Sequence, residues 1–107
     1  MEIRIQKELD LITESVLQTV QAEAIYLFGS HAYGTPSEES DLDIYVVVPD
    51  GITGLIELQA EIRELLWQKR SLPLDLLMGY SSVFNRRKSG PTLERVIAQK
   101  GRLLYGA

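Results

Sequence analysis

The sequence predicts a small α+β (α/β) protein in which helices pack on a mixed β-sheet. Two stretches carry apolar residues at helical spacing, and three short apolar runs have the composition of strands. Their order along the chain, αβ(α)βαβα, implies a small mixed sheet with helices packed on it. The length of 107 residues suits one domain, which we expect to span residues 1–107.

Apolar residues at every third or fourth position predict two long helices. The first covers residues 3–20 and the second residues 55–69. We expect Trp67 to cover the end of the second helix. The residues predicted to face inward are Ile5, Leu9, Ile12, Val16 and Val20 in the first helix, and Leu55, Leu58, Ile62, Leu65 and Leu66 in the second.

Short apolar runs bounded by turn-forming residues predict the strands. They cover residues 24–28, 42–48 and 73–78. Glycine is expected to end the first and third runs, at Gly29 and Gly79, because it favours turns over strands. Residues 102–105 are predicted to add a short fourth strand at an edge of the sheet.

The remaining segments predict short helices and loops. Ser30 is expected to cap a helical turn over residues 31–33, and residues 35–40 are expected to form a loop. Residues 80–87 fit either a short helix or a loop. Pro91 suits the first turn of a last helix over residues 92–100, which Gly101 ends.

Composition excludes several kinds of site and partner. The chain has no cysteine, which rules out disulfides and zinc–thiolate sites and fits a reducing cytoplasm. It shows neither a signal-peptide core nor an apolar run of membrane-spanning length, so we expect a cytoplasmic protein without a membrane partner. The net charge of −4 argues against direct binding to nucleic acid. The basic run Arg86-Arg87-Lys88 is expected to be a solvated loop.

The turn Gly29-Ser30 has the residue types of a phosphate-binding turn. Glycine allows a phosphate to approach the backbone, and the following helical turn would point free N–H groups at it. The Ser30 hydroxyl would add a donor. The alternative is an ordinary strand-to-helix turn, which we would favour if this dipeptide stood alone.

Asp41 and Asp43 are candidate metal ligands. Alternation along a strand places both carboxylates on one face, where they repel each other unless a cation lies between them. Mg²⁺ is the natural choice because it prefers oxygen ligands. The alternative is a polar strand start exposed to solvent.

Asp75 is the third candidate, because it interrupts an otherwise apolar strand in which an unpaired charge would be costly. If its strand lies beside that of Asp41 and Asp43, the three acids can converge. Two metal ions about 3.5–4 Å apart would then assist a phosphoryl displacement, and Asp75 could accept the proton of the attacking hydroxyl. The alternative is a salt bridge to Arg63 or Arg70.

The element formed by Gly29-Ser30, ten residues, and Asp41-Leu42-Asp43 resembles the signature of the nucleotidyltransferase superfamily related to DNA polymerase beta. The flanking residues resemble its minimal nucleotidyltransferase (MNT) domain proteins. The resemblance implies the polymerase beta-like fold, ATP as substrate and two Mg²⁺ ions. It assigns Gly29 and Ser30 to the nucleotide phosphates, Asp41 and Asp43 to the metal, and Asp75 to the metal and catalysis.

The resemblance also implies a biological role. MNT proteins commonly act as antitoxins that transfer AMP from ATP to a tyrosine of a HEPN ribonuclease toxin, so we expect such a partner and a homo- or hetero-oligomer. The chain is short for an enzyme with its own acceptor-binding domain. Two alternatives stay open: a binding module that masks its partner without catalysis, and an aminoglycoside-type adenylyltransferase. One departure bears on this choice, since His31 and Tyr33 stand where many MNT antitoxins have arginine.

Overall fold

A computed structural model describes residues 2–37, 40–69 and 72–106. Four strands form one sheet in the order β3-β2-β1-β4. β1 pairs antiparallel with β2 and with β4, whereas β2 and β3 are parallel, so the predicted mixed sheet is confirmed. The elements are α1 (Ile3–Thr19), β1 (Ala24–Phe28), α2 (Ser30–Tyr33), β2 (Leu42–Val48), α3 (Leu55–Leu66), β3 (Leu74–Tyr80), α4 (Ser81–Arg87), α5 (Leu93–Lys100) and β4 (Arg102–Gly106).

The two faces of the sheet bury different sets of side chains because successive residues of a strand point to opposite sides. The first face packs against α1 and α3, where Leu9, Ile12 and Ile62 are fully buried. The second face packs against α4 and α5 through Phe84 and Ile97. In β2, Leu42, Ile44, Val46 and Val48 point to the first face, and Tyr45 and Val47 to the second.

The second long helix differs from its prediction at its C-terminal end. α3 ends at Leu66, three residues before the predicted end at Lys69. Leu65, which was expected to face inward, has 39% of its surface exposed. Trp67, which was expected to cover the end of the helix, has 70% of its surface exposed. Among the described residues, no helix is long and apolar enough to cross a membrane.

The ends of several helices and strands also differ from the prediction. β3 runs through Gly79 to Tyr80 instead of ending at the glycine. Gly29, not Ser30, is the N-cap of α2, and α4 is a helix that includes two residues of the basic run. Pro91 lies outside α5, whose N-cap is Thr92; the Thr92 side chain accepts a hydrogen bond from the backbone N–H of Arg95.

A polar network joins α4 and α5 to the centre of the second face. Tyr45 Oη donates to Glu94 Oε2 (3.1 Å), and Arg87 Nε donates to Glu94 Oε1 (2.9 Å). The Tyr45 ring also lies against Phe84, with 5.4 Å between ring centroids. Burial, together with the charge of Glu94, raises the pKa of Tyr45 to about 12. An ordinary tyrosine is also protonated at neutral pH, so the raised pKa matters above it, where the Tyr45 hydroxyl keeps its proton and its bond to Glu94.

The close fit of Gly79 against Tyr45 makes a stability prediction. A methyl group at Gly79 would overlap Tyr45 Oη and approach Cζ to 3.2 Å. We expect Gly79→Ala to lower the free energy of unfolding by about 1–3 kcal/mol, the usual cost of overpacking a core. Urea denaturation would measure the loss. In a Tyr45→Phe background, which lacks Oη, the same substitution should cost less; equal costs in both backgrounds would contradict this account.

Candidate active site

Asp43 and Asp75 lie side by side on neighbouring strands. The parallel register of β2 and β3 pairs these two residues directly, as it pairs Leu42 with Leu74. The register begins with the hydrogen bond from Leu42 N to Pro73 O (2.8 Å). Neighbouring strands are about 4.8 Å apart, so directly paired side chains that point to one face are close together. Asp43 lies two residues before Tyr45 and therefore shares the second face.

Asp41 lies one residue before β2 and is exposed. Within residues 2–37, 40–69 and 72–106, no group of three or more Asp, Glu, His or Cys side chains is close enough to hold a metal ion as the chain stands. The structure thus brings two of the three predicted acids together by strand pairing. The third acid, Asp41, lies beside this pair in the segment that leads into β2.

Electrostatic coupling nevertheless connects all three carboxylates. Burial raises the pKa of Asp43 above its ordinary value, and the charges of Asp75 and Asp41 raise it further, whereas His31 lowers it. Negative charge is therefore in excess around Asp43, and a divalent cation would offset it. Carboxylate oxygens are also the donors that Mg²⁺ prefers, so the residues fit this metal in charge and in chemistry.

Asp75 is not the costly buried charge that the apolar strand predicted. β3 is an edge strand, and the Asp75 side chain is exposed. Of the two alternative salt-bridge partners, Arg63 donates instead to the backbone oxygen of Leu76 (3.2 Å), and Arg70 lies outside the described residues. No ion pair involves Asp75 in the part of the chain that the structure describes. Its carboxylate is therefore accessible to a ligand.

Gly29 places the α2 turn directly against Asp43. Phe28 pairs with Asp43 across the antiparallel β1–β2 ladder, so the next residue reaches the carboxylate. Gly29 has φ 74°, and a Cβ atom there would overlap Asp43 Oδ2. Only glycine satisfies both the left-handed backbone and this close approach. Ser30 is the first residue of α2, so its hydroxyl lies directly beside the Gly29 turn.

His31 connects the two halves of the site, a role that its sequence position did not predict. Its Nε2–H donates to the backbone oxygen of Ser40 (3.1 Å), the residue before Asp41. The Ser40 hydroxyl in turn accepts from the backbone N–H of Ser37 (2.8 Å). Tyr33 has 42% of its surface exposed.

Comparisons with known proteins agree with this architecture. The family model "Polymerase beta, Nucleotidyltransferase" matches residues 10–107. A toxin–antitoxin solved with AMP-PNP is 24% identical over 92% of this chain and 73% of its own, with a TM-score of 0.59. A mutant of the toxin–antitoxin MntA-HpeT is 22% identical over 92% and 73%, with a TM-score of 0.63. A protein from Sulfolobus solfataricus is 20% identical over 87% and 96%, with a TM-score of 0.55. Comparison with curated proteins finds no match.

The family match covers nearly all of the described sheet and helices. It includes the Gly29 turn, the β2 strand and the β3 strand that together form the candidate site. The solved structures share the fold at low sequence identity. The chain is therefore a member of the polymerase beta nucleotidyltransferase family.

Proposed function

We propose that the protein is a metal-dependent nucleotidyltransferase that moves AMP from ATP to a hydroxyl of a protein partner. The partner we propose is a HEPN ribonuclease toxin that presents a tyrosine, so that the protein acts as its antitoxin in the cytoplasm. The observation that carries the proposal is the contact between the Gly29 turn and Asp43, with Asp75 paired beside it. A phosphate-binding turn and a metal-binding pair serve one reaction only if they meet in this way.

Each residue has a defined role in this proposal. The backbone of Gly29 and the hydroxyl of Ser30 contact the phosphates, and Asp41, Asp43 and Asp75 hold Mg²⁺. Bound Mg²⁺ would supply charge stabilisation for the phosphoryl oxygens. The acceptor oxygen forms a bond to the α-phosphorus while the bond to the bridging oxygen of pyrophosphate breaks. Asp75, as the exposed carboxylate of the pair, takes the proton of the acceptor hydroxyl.

The structural neighbours support the choice of nucleotide and partner. One is a toxin–antitoxin solved with AMP-PNP, an ATP analogue. Another is the MntA-HpeT toxin–antitoxin, solved as a variant in which two aspartates, two positions apart, are replaced by glutamate. Asp41 and Asp43 have the same spacing in this chain.

Transfer of labelled AMP tests the proposal. ATP labelled at the α-phosphate would be incubated with the protein, Mg²⁺ and its cognate toxin, and label on the toxin would be measured. We expect incorporation that requires Mg²⁺ and is lost when the acceptor tyrosine is changed to Phe. A folded, metal-loaded protein that binds the toxin but transfers no label would contradict the proposal.

A second candidate function is masking of the partner without catalysis. One observation favours it: His31 and Tyr33 stand where many of the MNT antitoxins that the chain resembles have arginine, and an arginine could hold a triphosphate. Changing Asp41 and Asp43 to Asn separates the two functions. Complete neutralisation of the toxin by this double variant would favour masking, and loss of neutralisation would favour transfer.

A further inference from the structure

The strand that carries Asp75 lies at an open edge of the sheet. β3 has a neighbouring strand, β2, on one side only. Pro73 O accepts a hydrogen bond from Leu42 N–H (2.8 Å), so Pro73 and Asp75 direct their backbone groups towards β2. Because these groups alternate in direction along a strand, Leu72 and Leu76 direct theirs to the open side. The strand ladder therefore holds Asp75 from one side only.

Two side chains from the helices of the first face bind backbone groups on this open side. Glu8 of α1 accepts a hydrogen bond from Leu72 N–H through Oε1 (3.2 Å). Arg63 of α3 donates one from Nη2 to Leu76 O (3.2 Å). Asp75 lies between the two points of attachment, three residues after the first and one before the second. The helices are thus attached to β3 on both sides of Asp75.

Glu8 is an unusual residue for its position in α1. It lies on the buried side of the helix, between Ile5 and Leu9 in the sequence, and only 6% of its surface is exposed. A buried carboxyl group lowers stability unless it is hydrogen-bonded, whereas an apolar side chain could fill the same space at no such cost. The bond to the backbone of β3 is a contact that an apolar side chain could not make.

The paired carboxylates of the candidate site need a restraint of this kind. Asp43 and Asp75 lie directly opposite each other in the parallel ladder, where their negative charges repel. β2 is a central strand with β1 and β3 on its two sides, so the pair separates most readily by movement of β3. The attachments to α1 and α3 oppose that movement.

We propose that Glu8 and Arg63 are positioning residues that hold the backbone of β3 so that Asp75 stays opposite Asp43. This inference rests on the proposed function and deepens it, because each residue acts through the β3 backbone and not by contact with the reactants. Loss of either attachment should slow the chemical step. ATP binding at the Gly29 turn should change little, because that turn joins β1 to α2 and does not depend on β3.

Transfer of AMP at varied ATP concentration tests the positioning. We expect Glu8→Ala and Arg63→Ala each to lower kcat about tenfold, with KM for ATP changed less than about threefold. Glu8→Gln should keep kcat within about threefold of the wild type, because its amide oxygen can accept the same hydrogen bond. The controls are Val16→Ala, fully buried about two turns further along α1, and Arg95→Ala, which removes an exposed arginine from α5. Each control should keep kcat within about twofold.

Amide hydrogen exchange without ATP or Mg²⁺ tests the attachment independently of activity. The reporters are the amides of Asp75 and Leu77, which point to β2, and they are compared with the amides of the central strand β1. In the two test variants, we expect exchange in β3 to rise at least about tenfold more than in β1, because an edge strand released at one point opens locally. In the α1 control, exchange in β3 should rise no more than in β1.

The results distinguish failure of this proposal from failure of the proposed function. An unchanged kcat in both test variants, a Glu8→Gln variant as slow as Glu8→Ala, or an equal rise of exchange in β1 and β3 would each overturn the positioning role. Any of these results with normal transfer by the wild type would leave the proposed function intact. Local loosening of β3 in a protein that transfers no AMP would uphold the attachment and reject the enzymatic function.

Discussion

Gly29→Ala is expected to lower nucleotide transfer by at least about 100-fold, the effect of misplacing a catalytic group by about 1 Å. The new methyl group would overlap Asp43 Oδ2, so the carboxylate must move away from the turn that it contacts. Alanine at φ 74° also strains the backbone, which costs about 1–2 kcal/mol of stability. The measurements are the rate of AMP transfer and the free energy of unfolding in urea.

Gly51→Ala is the matched control for this substitution. Gly51 has φ 94°, so alanine there meets the same kind of backbone strain, but no atom lies within 4 Å of its Cβ position. We expect a similar loss of stability with transfer unchanged within about twofold, because no site residue moves. If both variants lose activity to the same extent, the contact between Gly29 and Asp43 is not what the site requires.

Asp43→Asn is expected to change activity and stability in opposite directions. Removal of a carboxylate that we propose to bind Mg²⁺ should cost several kcal/mol of transition-state stabilisation, and about 4 kcal/mol corresponds to a rate loss of about 10³. Without Mg²⁺ at pH 7, however, the variant should be more stable than the wild type, because it lacks the buried charge and the repulsion by Asp75 and Asp41 that together raise the pKa of Asp43. Added Mg²⁺ should raise the melting temperature of the wild type and not that of the variant.

The pH dependence of this stabilisation has a defined sign. The pKa of Asp43 is higher in the folded protein than in the unfolded chain, so the folded protein binds this proton more tightly. The free energy of unfolding of the wild type therefore falls as pH rises from the unfolded to the folded pKa. The gain in stability of Asp43→Asn over the wild type should be absent below the ordinary carboxyl pKa and complete above the raised pKa of Asp43.

Asp50→Asn provides the control. A hydrogen bond from Ser82 N–H lowers the pKa of Asp50. The Asp50 carboxylate therefore stabilises the folded protein above the ordinary carboxyl pKa, and this stabilisation is lost on acidification. This variant should gain no stability at pH 7. A loss of stability in Asp43→Asn at pH 7 without metal would contradict the electrostatic account.

Local patterns predicted most elements of this fold, because their signals lie within a few residues. The apolar spacing of α1 and the β-branched run of β2 match the observed elements closely. The prediction that β3 ends at Gly79 was wrong. The glycine instead makes room for Tyr45, which lies 34 positions away in the sequence. The end of α3 was misplaced for a similar reason: Trp67 is apolar but finds no place in the core.

The candidate site was predictable in composition but not in geometry. The motif identified Gly29, Asp41 and Asp43, whereas the position of Asp75 depended on a strand pairing that no local pattern specifies. The exposure of Asp75 follows from the place of β3 at the sheet edge. The link from His31 to Ser40 depends on the path of the loop between them, so a single histidine gave no signal for it.

The parallel pairing of β2 and β3 also determines how insertions and deletions would act. A slip of one residue between these strands would turn Asp75 to the opposite side of the sheet, since the side chains of a strand alternate. The segment between the strands, which contains α3, can therefore change in length without effect on the paired carboxylates only if this register is kept. Evolution can vary its sequence freely at exposed positions, but a change in its length that shifted the register would separate the two carboxylates even if the protein still folded.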